Sequence, residues 1–320
     1  MQQLIHEVFL PHLSPSGKAA DHDGALLEVS RSKLAFTTDS YVVQPYFFPG
    51  GDIGSLAVFG TINDLAMCGA HPLYLSAGFI LEEGFPIGDL QRILRSMEKV
   101  LSECNVTIVT GDTKVVDRGK GDGIYINTAG IGIREHDQTW NPRQIKPGDA
   151  ILISGDIGRH GIAVMSVRHG LEFETEIKSD AASLWNPVSA LLAAGIEAHC
   201  LRDLTRGGLS SAVNEIAQAS GLTIHLEEKH IPVREDVVAA CEMLGYDPLY
   251  VACEGRFLAF LPAEQVEDAL RVLRNHPTTS NAAVIGEALS GRPGRVTLLN
   301  TIGVERILDM LSGEQLPRIC

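Results

Sequence analysis

Three aspartates stand where predicted strands or a buried helix meet small, flexible residues. They are Asp39 in TTDSYVV, Asp64 in TINDLAMCGA and Asp112 in TGDTKVV. Carboxylates in such apolar surroundings are costly unless they are paired or bind a cation. Together the three predict a Mg²⁺ site that also holds the phosphates of a nucleotide, because Mg²⁺ prefers oxygen ligands. Taken singly, each is better explained as a turn residue or a helix cap.

Lys114 adds a cation to the third of these motifs. It follows Asp112 by two residues, so in a strand both side chains project to the same face. A metal ligand beside a phosphate-binding lysine suits phosphoryl transfer. GDTK alone is only moderately specific, and without the other motifs a solvated lysine is the better explanation.

A glycine pair that begins at Gly207 opens a predicted helix in DLTRGGLSSAVNEIA. The N–H groups and positive dipole end of a helix N-terminus favour anions, and Arg206 could hold a phosphate there. Asn214 lies two turns on in the same helix and is counted with these candidate nucleotide contacts. The spacing is neither that of a Walker loop nor that of a dinucleotide-binding GxGxxG. Simple helix capping by Asp203 or Thr205 explains the motif about equally well.

Glu254 stands between an apolar run and a glycine in ACEGR. An apolar setting raises the pKa of a carboxyl group toward the range of a general base. A salt bridge with Arg256 is the alternative, and the sequence does not separate the two.

The chain ends in a cysteine. Cys320 stands at the end of GEQLPRIC, whose polar and proline-containing composition predicts an unpacked tail. Packing does not account for an exposed thiol at a mobile end, whereas a role as a carrier does. Eight extended residues reach about 26 to 29 Å, enough to swing between an internal site and a partner protein. As an isolated feature, a chance terminal residue would be the preferred explanation.

Composition narrows the possible functions. Of 320 residues, 45% are apolar and 21% charged, and the net charge of −14 argues against a nucleic-acid binder. No apolar run is long enough for a membrane span, and the first residues do not resemble a secretory signal. The cysteines lack zinc-type or redox spacing, so we expect reduced thiols and a cytoplasmic protein. They are Cys68, Cys104, Cys200, Cys241, Cys253 and Cys320.

The elements that must position these residues fall into two groups. In the first, the pattern predicts an amphipathic helix over residues 1–13 and a helix buried all round over Ile53–Ala70. The other elements predicted there are strands LLEVS, KLAFTTDSYVV, PLYLSAGFILEE, VTIVTGDTKVV (interrupted by a Gly-Asp turn) and IYINTAGIGI, and helix IGDLQRILRSMEKVLSEC. The pattern restarts near Lys146 with strands and helices that do not alternate strictly. We therefore predict an α/β domain over 1–145, an α+β domain over 146–312 and a flexible tail over 313–320.

The order of these motifs resembles HypE, a family of hydrogenase maturation factors. HypE belongs to a superfamily of ATP-using enzymes that includes aminoimidazole ribonucleotide synthetase, selenophosphate synthetase and thiamin-monophosphate kinase. The resemblance covers essentially the whole chain, and the final PRIC singles out HypE. The other motifs that carry it are TTDSYVV, the PGG of FFPGGDIG, GTINDLAMCGA, FILEEGFPIGDL, TGDTKVV, INTAG, DLTRGGL and ACEG. It implies an N-terminal sheet domain that forms a homodimer barrel, ATP bound near that interface, and a C-terminal α+β domain that closes over it.

The resemblance also implies a reaction. In it, a carbamoyltransferase, HypF, loads a carbamoyl group onto the thiol of Cys320, and the enzyme uses ATP to dehydrate the S-carboxamide to a thiocyanate. The cyanide then passes to an iron held by HypC and HypD. Glu254 is the candidate for removing the amide protons. By the same resemblance Mg²⁺ and the nucleotide phosphates are held by Asp39, Asp64 and Asp112, with help from Thr113 and Lys114.

Members of that family carry a glycine-rich HGSGG-like stretch ahead of the MQQLI segment, and this chain begins at Met1 without it. Since such a loop contributes backbone contacts to a triphosphate, we expect weaker ATP binding, a sequence truncated at its start, or the lack of an ordered lid. Two other functions stay open at the level of sequence. One is another ATP-dependent synthetase or kinase of the same superfamily, and the other is a maturation scaffold with a vestigial ATP site.

Overall fold

The computed structural model describes residues 25–29, 32–171, 176–310 and 318–320, so the helix predicted over residues 1–13 lies outside the described residues. The helices within these ranges are α1 Ile53–Met67, α2 Ile87–Cys104, α3 Arg159–Arg168, α4 Trp185–Ala193, α5 Gly208–Ser220, α6 Glu235–Leu244 and α7 Val266–Arg274. The strands are β1 Ala25–Val29, β2 Ser32–Tyr41, β3 Phe47–Phe48, β4 Gly51–Asp52, β5 His71–Glu82, β6 Thr107–Val116, β7 Ile124–Arg134, β8 Asp149–Ile153, β9 Cys200–Asp203, β10 Thr223–Glu227, β11 Phe257–Pro262, β12 Ala283–Leu289, β13 Arg295–Leu299 and β14 Glu305–Ile307. Among the described residues, no helix is both long enough and apolar enough to cross a membrane.

The first sheet has the strand order β1-β2-β7-β5-β6, in which β5 and β6 run parallel. Helix α1 packs against β2 and β7 and is buried on nearly every side, as its apolar sequence predicts. It begins at Asp52, whose Oδ1 accepts from the main-chain N–H groups of Gly54 and Ser55 at 2.8 and 3.0 Å. This cap satisfies donors that a buried helix end cannot expose to water. The amphipathic helix α2 is confirmed over the whole predicted segment.

Strand β6 runs unbroken through Gly111 and Asp112, so the predicted Gly-Asp turn is wrong. Gly111 pairs with Ala77 of β5, and a Cβ on Gly111 would lie 2.5 Å from the Ala77 carbonyl oxygen. The glycine permits close approach of two strands rather than a change of direction. The edge of the sheet therefore carries GDTK in an extended conformation.

The second sheet has the order β14-β13-β10-β12-β8-β11-β9 and is antiparallel except for the β10–β13 pair. Alternate residues of β8 and β11 face opposite sides, and both sides are covered. Helix α5 packs on one side, with Ile151 and Ile153, and helices α4 and α7 pack on the other, with Leu152. The strands predicted at RFLAFL and NAAVIGEAL and the helices predicted at GLSSAVNEIAQASG and EQVEDALRVLRN are confirmed.

Asn63 of α1 joins the two sheets. Its Nδ2 donates to the carbonyl oxygens of Ala182 and Glu254 at 3.0 and 3.2 Å, and its Oδ1 accepts from the N–H of Leu184 at 2.8 Å. All these groups are buried or half-buried, and breaking the contacts would leave polar atoms without partners. The helix that carries Asp64 is thus held against the loop that carries Glu254.

The three described residues of the carboxyl-terminal segment are packed, which corrects the prediction of an unpacked tail for this part of GEQLPRIC. Ile319 is only 3% exposed, and Cys320 is half-buried against the core of the first sheet. The sequence did not indicate this because a single isoleucine in a polar segment produces no periodic pattern.

Candidate active site around the carboxyl terminus

Two of the three predicted aspartates, Asp39 of β2 and Asp64 of α1, each accept a hydrogen bond from a hydroxyl group of β2. The hydroxyl of Tyr41 donates to Asp39 Oδ2 at 3.1 Å, and the hydroxyl of Thr37 donates to Asp64 Oδ2 at 2.5 Å. Burial raises the pKa of Tyr41 well above its usual value, and the charges of Asp39, Asp64 and Glu254 raise it further. The charges of three carboxyl groups therefore act on the buried hydroxyl of Tyr41.

Gly60 of α1 makes room for that hydroxyl. A Cβ at this position would lie 2.0 Å from Tyr41 Oη, a distance no pair of heavy atoms tolerates. The helix and the strand can approach closely only because residue 60 has no side chain.

Asp112 does not join the other two aspartates within one chain, which corrects the predicted cluster. Across the sheet, Asp39 pairs with Thr128, Thr128 with Ala77, and Ala77 with Gly111. Gly111 is therefore three strands, or about 14 Å, away from Asp39. Asp112 is the next residue, so its side chain projects from the opposite face of the sheet. Within the described ranges, no group of three or more His, Cys, Asp or Glu side chains is placed to hold a metal ion.

Asp112 pairs instead with Lys114 on the same face, as the two-residue spacing predicts. Lys114 Nζ lies 2.6 Å from Oδ1 and 2.5 Å from Oδ2, and the N–H of Thr113 donates to Oδ1 at 2.8 Å. The hydrogen bond from Lys114, followed by that from Thr113, holds the pKa of Asp112 below its usual value. All three residues are exposed on the edge strand.

The glycine pair at the start of α5 has the conformation that the sequence suggests. Gly207 has φ 78° and Gly208 has φ 58°, and the N-cap residue of the helix is Gly207, which has no side chain to cap it. A Cβ on Gly208 would lie 2.6 Å from the carbonyl oxygen of Val251. The N–H of Gly208 donates to the carbonyl oxygen of Thr205 at 3.0 Å, and the positive dipole end of a helix start favours an anion. The exposed Arg206 precedes the glycine pair.

Asn214, a predicted nucleotide contact, is bonded to main-chain groups of the protein. Its Nδ2 donates to the carbonyl oxygens of Ser210 and Leu308 at 2.9 and 3.0 Å, so both amide hydrogens are used inside the protein. The hydroxyl groups of Ser210 and Tyr250 donate to the carbonyl oxygen of Asp309 at 2.8 and 3.0 Å. These contacts fix the main chain shortly before the carboxyl-terminal segment.

Glu254 is buried without a salt bridge among the described residues. Arg256, its suggested partner, lies 2.8 Å from Asp156 instead, so that alternative is wrong. Glu254 Oε1 has no hydrogen-bond partner in the described structure. Burial raises the pKa of Glu254 well above its usual value, and the charges of Asp203, Asp180 and Asp39 add to the effect. This is the environment expected of a tuned proton acceptor.

The carboxyl-terminal segment pairs with the residues that directly follow β2. The N–H of Val42 donates to the carbonyl oxygen of Cys320 at 3.1 Å, and the N–H of Gln44 donates to that of Arg318 at 3.3 Å. The two contacts run in antiparallel sense, so the segment is bound as a short added strand. Ile319, between them, buries its side chain in the core of the first sheet.

Three side chains outside the segment also hold it, those of His160, Arg168 and Asp122, and the sequence did not single them out. His160 Nε2 lies 2.8 Å from the carbonyl oxygen of Ile319, and Arg168 donates to that of Arg318 at 2.9 Å. The side chain of Arg318 forms an ion pair with Asp122 at 2.6 Å. The available signal was weak, because one histidine and one arginine on a helix with small and apolar neighbours fit an ordinary structural helix equally well.

Several of the charged groups described above act on the Cys320 thiol. Burial raises its pKa far above the usual value, and the charge of Glu254 raises it further, while the charge of Arg206 opposes the shift. The charges of Asp39 and Asp203 act in the same direction as Glu254. The thiol of Cys320, packed against the core of the first sheet, is therefore under the electrostatic influence of Asp39, of residues at the start of α5 and of Glu254.

Two family models match this chain: AIR synthase related protein, N-terminal domain, over residues 21–134, and AIR synthase related protein, C-terminal domain, over residues 146–298. The carbamoyl dehydratase HypE of Azotobacter vinelandii is 52% identical over 320 residues, which span 100% of this chain and 94% of that protein. The carbamoyl dehydratase HypE of Escherichia coli K12 is 43% identical over 326 residues, spanning 100% and 96%.

Solved structures give the same picture. A crystal structure of the hydrogenase maturation protein HypE in complex with ATP has 47% identity and a TM-score of 0.88, covering 100% of this chain and 96% of that one. A chain of a HypE–HypF complex has 44% identity and a TM-score of 0.91, covering 96% and 99%. Thiamine monophosphate kinase of Aquifex aeolicus has a TM-score of 0.70 at 16% identity over 96% and 99%, which is a likeness of fold alone.

Proposed function

Because this chain belongs to the AIR synthase-related family and, within it, to the HypE carbamoyl dehydratases, we propose that it uses ATP to dehydrate an S-carboxamide on its own Cys320 to a thiocyanate. The cyanide is then available for the iron centre of a hydrogenase. One observation supports the proposal: the carboxyl-terminal segment is docked so that the charge of Glu254, a buried residue whose Oε1 has no hydrogen-bond partner in the described structure, acts on the terminal thiol.

The reaction removes one water from the carboxamide. The carboxamide oxygen takes the γ-phosphoryl group of ATP, which releases ADP, and one amide proton is lost as the C=N bond forms. The second amide proton then leaves while the C–O bond breaks, giving the nitrile carbon of the thiocyanate and inorganic phosphate. ATP supplies the phosphoryl group that turns a poor leaving group into phosphate.

Glu254 is the proposed acceptor of the amide protons. Burial without a partner favours its protonated form, so its carboxylate binds a proton more strongly than an exposed glutamate would. A base with a raised pKa is better matched to a weakly acidic amide near neutral pH. The docked main chain brings the modified sulfur of Cys320 to this carboxyl group.

The nucleotide contacts follow from charge and geometry. Asp39 and Asp64 offer the hard oxygen ligands that suit Mg²⁺, which would offset phosphate charge. The helix N-terminus at Gly207, together with Arg206, suits a phosphate. Lys114 and Thr113 are proposed phosphate contacts from a second copy of the chain, since Asp112 and its neighbours lie three strands from Asp39.

Partners are proposed on the same basis. A solved structure of a relative is a HypE–HypF complex, so we propose a HypF-type carbamoyltransferase as the enzyme that loads Cys320. We further propose a homodimer formed through edge strand β6 and transfer of cyanide to iron held by HypC and HypD. The six cysteines are free, which suits the reducing cytoplasm in which we place the reaction.

Because the docked thiol is buried, we infer that the carboxyl-terminal segment has one position for carbamoylation of Cys320 and another for dehydration. A buried thiol with a raised pKa is a poor nucleophile, so carbamoylation by a partner requires the segment to leave its site. Dehydration requires it to return.

Intact mass spectrometry tests the function directly. Cys320 is carbamoylated by the partner enzyme or by cyanate, and the mass is followed with and without Mg-ATP, with Cys320→Ala as the control. Loss of one water from the modified chain, dependent on ATP and absent in the control, is expected. A carboxamide that persists with ATP would exclude the dehydratase activity for this chain.

A further inference from the structure

His160 is the buried residue whose ring contacts the carboxyl-terminal segment. It lies in the first turn of α3 and is fully buried, with Nε2 2.8 Å from the Ile319 carbonyl oxygen and Nδ1 2.9 Å from Ser179 Oγ. The ring of Phe48 packs edge-on against it, with centroids 5.3 Å apart. The imidazole is therefore fixed on three sides.

The partners determine which nitrogen carries the proton. A carbonyl oxygen only accepts, so Nε2 must be protonated and donate to Ile319. Burial lowers the pKa of His160 and favours the neutral ring, which leaves Nδ1 as an acceptor for the Ser179 hydroxyl. The Ser179 oxygen accepts in turn from the N–H of Ala181 at 3.1 Å. A continuous chain of hydrogen bonds thus sets the tautomer and orientation of the ring.

The carbonyl group of Ile319, which accepts from His160, is bonded directly to the main-chain nitrogen of Cys320, the reacting residue. The C–O group of Ile319 and the N–H of Cys320 belong to a single planar peptide, so holding one end of it orients the other. Val42 holds the carbonyl oxygen of Cys320 on the far side of the Cα atom. With both sides of the Cα atom fixed, rotation of the side chain is the main remaining freedom of the sulfur.

We propose that His160 is a positioning residue for the dehydration: its Nε2–H holds the Ile319 carbonyl and thereby places the sulfur of Cys320 against Glu254. The proposal rests on the proposed function for its catalytic consequence, but docking itself is measurable without any chemistry. Burial of the Ile319 side chain supplies affinity for the site without specifying rotation about the segment, whereas the histidine fixes that rotation.

Two substitutions distinguish the loss of the Nε2–H donor from the loss of the imidazole ring. In His160→Gln the side-chain NH₂ group takes the place of Nε2–H and keeps the donation to Ile319. In His160→Asn the amide reaches only the place of Nδ1, near Ser179, and the Ile319 oxygen loses its partner. Both variants remove the ring and leave amides of similar size, so they are matched in packing.

The first measurement is alkylation of unmodified Cys320 by iodoacetamide, quantified on the carboxyl-terminal peptide by mass spectrometry. The His160→Asn protein should react about ten- to a hundredfold faster than wild type, since an unsatisfied buried acceptor favours the undocked segment. The His160→Gln protein should react within about threefold of wild type. Equal rates in all three proteins, or equal acceleration in both variants, would overturn the proposal.

The second measurement is a single turnover of carbamoylated protein with Mg-ATP. We expect His160→Asn to dehydrate about a hundredfold more slowly, the scale of a misplacement of about 1 Å, with unchanged ATP affinity and with His160→Gln close to wild type. A normal rate in His160→Asn would refute the positioning role. If wild type itself formed no thiocyanate, the proposed function would fail while the alkylation rates still decided the role of His160.

Discussion

Asn63 and Glu254 lie 191 residues apart in the chain, and the side-chain nitrogen of Asn63 donates to the main-chain carbonyl of Glu254 at 3.2 Å. This contact links a helix of the first sheet to a loop of the second. Because Asp64 follows Asn63 directly, the same contact sets the distance between the proposed magnesium ligand and the proposed base. The contact that joins the two sheets therefore also fixes where Asp64 and Glu254 lie relative to each other.

Asn63→Ala should reduce both stability and activity. It leaves the carbonyls of Glu254 and Ala182 and the N–H of Leu184 without their partner, at an expected total cost of about 2 to 4 kcal/mol. Urea denaturation gives the free energy of unfolding, and single-turnover mass spectrometry gives the rate. The exposed Asn186→Ala is the control and should change neither by a measurable amount. An unaltered denaturation midpoint in Asn63→Ala would contradict the role assigned to this residue.

Glu254→Gln should abolish most of the dehydration while leaving ATP binding intact. A general base contributes about 10²- to 10⁴-fold, and an amide cannot accept the proton. Equilibrium dialysis measures ATP binding, and the mass change of carbamoylated protein measures turnover. Exposed Glu242→Gln serves as the matched control. Turnover of Glu254→Gln at the wild-type rate would remove this residue from the mechanism.

The same substitution predicts a change of stability with pH. The pKa of Glu254 is higher in the folded than in the unfolded protein, chiefly through burial, so its protonated form favours the fold. That contribution is complete below the unfolded pKa and is lost as the pH rises through the folded one. As the pH rises from 5 to 8, the free energy of unfolding of Glu254→Gln should therefore increase relative to that of wild type by about 1 kcal/mol or more. Each unit of pKa difference between the folded and unfolded states contributes about that amount. Urea midpoints at the two pH values check the sign, and a difference independent of pH would contradict it.

Much of this fold is predictable from sequence because its elements have strong periodic patterns. The buried helix over Ile53–Met67 and the edge strand with GDTK are both local properties of the chain. What the sequence did not reveal are consequences of distant packing. Asp112 and Asp39 are alike in sequence context, yet strand register places them on opposite faces of the sheet. Ile319 is one apolar residue in a polar segment, and only the pocket that receives it explains its burial.

Gly60→Ala should disturb the aspartate pair through Tyr41. The added methyl group would displace the Tyr41 hydroxyl from Asp39, at a cost of about 1 to 3 kcal/mol for overpacking, and should raise the KM for Mg-ATP. Gly88→Ala is the matched control because a Cβ there meets no atom within 4 Å, and in helix α2 it should stabilise by about 0.5 to 1 kcal/mol. Thermal unfolding and ATP titration measure both effects. A Gly60→Ala protein as stable as wild type would show that this contact is not required.

The ion pair between Arg318 and Asp122 should tighten the docked segment in a salt-dependent manner. Both side chains are partly exposed, so the pair is worth at most about 1 kcal/mol, or roughly fivefold in docking. Asp122→Asn should accelerate alkylation of Cys320 by that factor at low salt, and the difference should shrink at high salt because the charges are screened. The double substitution Asp122→Arg with Arg318→Asp should restore slow alkylation. If it reacted as fast as the single variants, the pair would have no role in docking.

Lys114 should act across the dimer rather than within its own chain. Strand β6 is at the edge of the first sheet, with exposed apolar residues such as Val109 and Val115, and such an edge is normally covered. Since Asp112 and Lys114 face away from Asp39 and Asp64 of the same chain, they reach the nucleotide only if a second copy provides them.

Lys114→Ala and Asp64→Asn should each abolish ATP-dependent dehydration as homodimers. Mixed and reassociated, the two inactive proteins should regain about one quarter of the wild-type sites, because each heterodimer contains one site with both residues intact. Size-exclusion chromatography checks dimer formation, and intact mass spectrometry of the carbamoylated mixture checks turnover. No recovery in a mixture that forms heterodimers would place Lys114 and Asp64 in the same chain's site, and the assignment of GDTK to the partner copy would be wrong.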